Sequence, residues 1–74
     1  MGKLLILSGR EVCAILSRHE FKEVRQRGSH IVMQKKVDDT TVTALVPDHA
    51  EIRIGTLLSI IRQSGVSRRE FEAP

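Results

Sequence analysis

The stretch KEVRQRGSHIVMQKK, residues 22 to 36, gathers Lys22, Arg25, Arg27, Lys35 and Lys36 around one histidine, His30, with Glu23 as the sole opposing charge. The rest of the chain holds seven basic and eight acidic groups, so an overall charge of +3 conceals a net +4 in this one segment. Concentrated positive charge favours an anionic partner, of which nucleic acid is the commonest for a soluble domain. A histidine, with an ordinary pKa of about 6.5, exchanges protons near neutrality. Beside cations that hold a phosphodiester, it could remove the 2′-OH proton of RNA while those cations stabilise the crowded phosphorane. DNA lacks that nucleophile. His30 is therefore the catalytic candidate, Arg25, Arg27, Lys35 and Lys36 the RNA-binding candidates, and Gly28 and Ser29 the turn that sets their geometry. The charge alone fits a solvated hairpin equally well, and on these residues alone an ordinary exposed histidine is the simpler account, since one histidine is not a constellation.

Other chemistries find less support. Cys13, His19, His30 and His49 lack the paired spacing of zinc sites, and no carboxylate-rich loop suggests calcium, so neither a metal nor another cofactor is expected. Cys13 lies beside an apolar helical stripe and reads as a small buried hydrophobe. His19 reads as a core-edge residue favoured by a helix C-terminus. Gly28-Ser29 is too short for a phosphate loop and lacks its lysine.

A chain of 74 residues with 41% hydrophobic and 28% charged residues is expected to fold as one small domain over residues 1–74. One cysteine excludes an internal disulfide and points to a reducing cytoplasm. The apolar start MGKLLILS is too short for a signal peptide, and Ile6 stands where myristoylation wants Ser or Thr. No run approaches membrane-spanning length, so no membrane partner is expected.

The elements that must position His30 follow from capping and periodicity. Ser8 and Glu11 have capping-box spacing, with Leu7 and Val12 placed as a hydrophobic staple, predicting a helix from Gly9 with its stripe at Val12, Ile15, Leu16 and His19. Lys22 to Arg27, His30 to Lys36 and Thr41 to Val46 read as strands broken at Gly28-Ser29 and Asp38-Asp39, with Pro47 ending the third. Ile54, Leu57, Leu58 and Ile61 predict a second helix closed by Gly65. Ser67 and Glu70, with Val66 and Phe71, predict a short terminal helical turn with its own capping box. The expected fold is α+β in the order α-β-β-β-α, a three-stranded antiparallel sheet with both helices on one face. Strand alternation then assigns Ile31, Met33, Val42, Ala44 and Val46 to the core. His30, Gln34 and Lys36 go to the open face, where Arg25 and Arg27 join them if Val24 faces inward.

The segments SGREV (8–12), HEFKEVRQRGSHIVM (19–33) and IGTLLSIIRQSGVSRREF (54–71), with the ordered combination R-Q-x-G-S-H, G-T-L and I-x-R-Q-x-G, resemble the HicA/YcfA-like ribonuclease toxins of prokaryotic toxin-antitoxin systems. The resemblance spans nearly the whole chain. It implies a fold like the double-stranded-RNA-binding domain, metal-independent cleavage of mRNA by the histidine of G-S-H, here His30, and a HicB-like antitoxin that forms a hetero-oligomer with the toxin and blocks RNA access. Many relatives carry a second histidine after the first, whereas this chain has Ile31. Parity turns that position toward the core, so its replacement should not abolish catalysis, but it leaves the general acid open among Lys36, Arg27 and water.

A rival of another class is a non-catalytic RNA-binding module of the same fold. Duplex binders usually carry a lysine cluster at the start of the second helix, where this chain reads EIRIGTLL. Single-strand readers use aromatic platforms, and this chain has only Phe21 and Phe71. A third reading, an adaptor whose basic face docks an acidic protein, is compatible with an antitoxin occupying the same face.

Overall fold

The computed structural model describes residues 2–73 and has the expected order: α1 (Gly9–Ser17), β1 (Lys22–Arg27), β2 (His30–Val37), β3 (Thr40–Pro47), α2 (Ile54–Ser64) and a 3₁₀ turn, Arg68–Phe71. The strands form one antiparallel sheet in the order β1-β2-β3. Both helices lie on one side of it, an α+β arrangement with an open opposite face.

Helix α1 begins as its cap dictates. The Glu11 amide donates to Ser8 Oγ at 3.1 Å, and the Ser8 amide donates to Glu11 Oε1 at 2.8 Å. Leu7 and Val12 are both buried, completing the staple, and Ile15 and Leu16 continue the stripe into the core. Full burial of each such side chain contributes about 1.5–3 kcal/mol. His19 does not enter the core; its Nε2 lies 3.1 Å from Glu70 Oε1. Glu70 thus reaches across to the turn just past α1, while the 3₁₀ turn takes a single side-chain cap in which Ser67 Oγ accepts from the Arg69 amide. Val66 and Phe71 are buried as predicted.

Helix α2 ends at Gly65, whose φ of 72° closes it in the left-handed region that glycine tolerates best. Its buried stripe is rotated from the predicted one. Leu57, Ile60 and Ser64 are buried and Ile61 packs against the core, whereas Ile54 and Leu58 are exposed. The period is unchanged and the phase moves by three residues, because α2 packs beside β3 at the sheet's edge and turns Ile54 and Leu58 past it.

In the sheet, Ile31, Met33, Ala44 and Val46 are fully buried under the helices, and Val42 is partly buried at their margin. The chain's ends also pair. The Leu5 amide donates to the Phe71 carbonyl and the Ala73 amide to the Lys3 carbonyl, each at 2.8 Å.

Candidate nucleic-acid interface

The position of each strand side chain follows from register. His30, Val32, Gln34 and Lys36 of β2 stand opposite Pro47, Leu45, Thr43 and Thr41 of β3, and all point away from the helices because the intervening Ile31 and Met33 point toward them. On β1, Arg27 pairs with His30 and Arg25 with Val32.

Between Glu23 and Arg25 the register slips, leaving Val24 as the extra residue of a β-bulge. Val24 is 48% exposed and does not face the core as the condition for the arginines required. The bulge meets that requirement by another route. Beyond it, Arg25 and Arg27 share the open face with His30; before it, Lys22 stands opposite Gln34 on the same face and Glu23 opposite Met33 on the helix side. Regular alternation would have put Glu23 beside the two arginines. The bulge exchanges an acid for a base, so the strands present Lys22, Arg25, Arg27, His30 and Lys36 with no carboxylate among them.

His30 is exposed at the start of β2, directly after a two-residue turn. Gly28 has a φ of 60° while Ser29 stays in the ordinary negative range, the arrangement of a type II′ hairpin turn, whose twist matches the strands it joins. Arg25, Arg27 and His30 line one depression of the open face, together with Val32 and Gln34 of β2 and Thr43 and Leu45 of β3. Directly opposite residues lie about 4.5–5.5 Å apart at Cα, which brings the Arg27 guanidinium within reach of a phosphate held at His30.

Lys35 is not part of this group. Its parity puts it on the helix side, opposite the partly buried Val42, with Nζ 5.8 Å from the centroid of the Phe21 ring. It lines a larger depression at the far end of the sheet that wraps from Glu20 and Glu23 on the helix side to Lys22 and Lys36 at the rim of the open face. Lys36 points from the open face but lies six residues along β2, roughly 20 Å from His30.

The turn carrying His30 is anchored from the helix side. The Asp48 amide donates to the Ser29 carbonyl at 2.6 Å, and Gln26 Nε2 donates to the Gly28 carbonyl at 3.1 Å and to Asp48 Oδ2 at 3.2 Å. Arg10, on the first turn of α1, donates to Asp48 Oδ2, Gln26 Oε1 and Glu23 Oε1 at 3.2–3.3 Å. Donation to the Asp48 carboxylate raises the pKa of the Arg10 guanidinium. Sequence reasoning missed Arg10, Gln26 and Asp48, since pairs this distant along the chain leave no local pattern, and it missed Lys22 because a bulge has no residue signature here.

Cys13 is buried beside α1's stripe, and burial pushes its thiol up to about 11, so it stays protonated. Among the described residues no helix is long and apolar enough to cross a membrane. A search of curated proteins found no match. Comparison with family models matches residues 9–66 to the HicA toxin of bacterial toxin-antitoxin systems, a span holding α1, the whole sheet and α2.

Proposed function

This chain belongs to the HicA toxin family of bacterial toxin-antitoxin systems, and on that premise we propose that it is a metal-independent endoribonuclease of mRNA with His30 as its proton-transfer group. The observation that carries this reading is the exposed imidazole on a helix-free sheet face with Arg25 and Arg27 as its neighbours. A neutral His30 nitrogen takes the 2′-OH proton of the ribose. The freed oxygen attacks the adjacent phosphorus, and the bond to the 5′-oxygen of the next nucleotide breaks, leaving a 2′,3′-cyclic phosphate and a 5′-OH end. The departing oxygen takes a proton from the imidazolium or from water. Arg25 and Arg27 neutralise the charge that builds on the non-bridging oxygens, where fixed donors act most strongly. Ile31 is fully buried, so no second imidazole at that position would reach the substrate.

Lys22 and Lys36 extend the binding track along the same face, and a HicB-like antitoxin that covers this face would exclude RNA. General acid-base catalysis is worth roughly 10²- to 10⁴-fold. His30→Ala is therefore expected to lose cleavage of single-stranded RNA by that order in the presence of a chelator, with its thermal unfolding curve unchanged. A variant that cuts RNA at the wild-type rate would remove His30 from the mechanism. Binding without cleavage by the wild type would instead favour the non-catalytic module.

A further inference from the structure

Val32 is only 3% exposed, yet it lies on the face that no helix covers and belongs to no part of the helix-side core. Its cover comes from its own neighbours: Arg25 and Leu45 directly across the two ladders, His30 and Gln34 two residues away along β2. Leu45 is itself 47% exposed. A face serving phosphates alone would place cations or hydroxyls at its centre, whereas this one has an aliphatic floor between the arginines and the polar pair Gln34 and Thr43.

We propose that this depression is a nucleobase subsite, in which one unpaired RNA base lies on the exposed Leu45 and the Arg25 guanidinium, above the buried Val32, and presents its edge to Gln34 and Thr43. The proposal rests on the ribonuclease reading above and specifies its substrate. Residues two apart on a strand are roughly 7 Å apart, about the reach from a backbone phosphate across its ribose to the base. A phosphate at His30 and Arg27 thus places a neighbouring base over Val32. Gln34 Nε2 donates to Thr43 Oγ1 at 3.4 Å, a long surface bond that a base edge can replace; the amide keeps a second N–H and its carbonyl for the same purpose. Phe21 and Phe71 are both buried, so no aromatic ring supplies the platform. The exposed Leu45 side chain and the planar Arg25 guanidinium, which stacks on flat rings, take that role. A base inside a duplex cannot enter, so the substrate is single-stranded.

Two measurements test the assignment. The first uses the inactive His30→Ala protein, binding short single-stranded RNAs in which each nucleotide in turn is made abasic. One position is expected to lose about tenfold in affinity and the others little; equal affinity at every position overturns the subsite. The second profiles cleavage sites over a randomised RNA. Gln34→Ala is expected to flatten the base preference beside the cut about tenfold, and Leu45→Ala to lower kcat/KM on all sequences. If both variants keep the wild-type profile and rate while His30→Ala is inactive, the subsite is wrong and the ribonuclease reading stands. If His30→Ala remains active, the ribonuclease reading itself fails.

Discussion

Arg10 on α1 and Asp48 after β3 are joined through a single carboxylate oxygen that also accepts from Gln26, and the same Asp48 holds the Ser29 carbonyl with its backbone amide. Two elements remote in sequence thereby fix the turn that aims His30. The ion pairs of Arg10 are solvent-exposed, and pairs of that kind contribute about 0–1 kcal/mol each. Their effect is on geometry more than on stability. Arg10→Ala and Asp48→Ala are expected to shift thermal unfolding by only a few degrees, to accelerate hydrogen exchange at the amides around the Gly28-Ser29 turn, and to lower kcat on RNA with KM nearly unchanged. Rescue by Arg10→Lys should be partial, since one ammonium cannot serve three acceptors in a planar fork. Unaltered kcat in both alanine variants would deny the anchor any part in aiming the histidine.

The two faces of the sheet predict different salt behaviour for neighbouring cations. Arg27→Gln removes a charge from the His30 face, and the slope of log K against log salt for single-stranded RNA should fall by about 0.7. Lys35→Gln removes one from beside Phe21, on the helix side, and should leave the slope near its wild-type value. Equal changes in the two titrations would mean that RNA contacts both sides of the sheet.

Gly9 and Gly55 both sit in first turns of helices, and alanine at the two positions should act in opposite directions. A Cβ at Gly9 would run into the Pro47 carbonyl, while one at Gly55 meets nothing. Overpacking costs about 1–3 kcal/mol, so Gly9→Ala is expected to lower Tm by several degrees. Gly55→Ala gains helix propensity of up to ~1 kcal/mol and should raise it. Thermal unfolding followed by circular dichroism measures both.

Because burial raises the Cys13 thiol from 9.0 to about 11, the folded state holds its proton more tightly than the unfolded chain. Stability from this group is complete below pH 9 and declines as pH rises from about 9 toward about 11. Cys13→Ser should lose part of that alkaline decline in urea titrations at pH 8 and 10. At pH 7 the native thiol should resist alkylation until the protein is unfolded.

Local signals carried most of the fold. The Ser8–Glu11 cap, Gly65 and the alternation of β2 and β3 are each properties of a few adjacent residues, and the structure keeps them. Phase on α2 was not readable, because Ile54, Leu58, Ile60 and Ile61 fit two overlapping stripes of the same period and the edge of β3 selects between them. The bulge at Val24 was equally hidden, since a valine in a strand reads as an inward residue and nothing beside it marks the slip. His30 was visible through its turn and its charged neighbours. Its anchors on Arg10, Gln26 and Asp48 depend on chain segments that meet only once folded, and Lys35 shows that adjacency in a basic run does not place two cations on one surface.

Residues 3–5 and 71–73 lie side by side in opposite directions, so the described chain enters and leaves the fold at one place. A pull that separates the ends loads the Ala73–Lys3 and Leu5–Phe71 bonds one after the other, as teeth of a zipper, and never together.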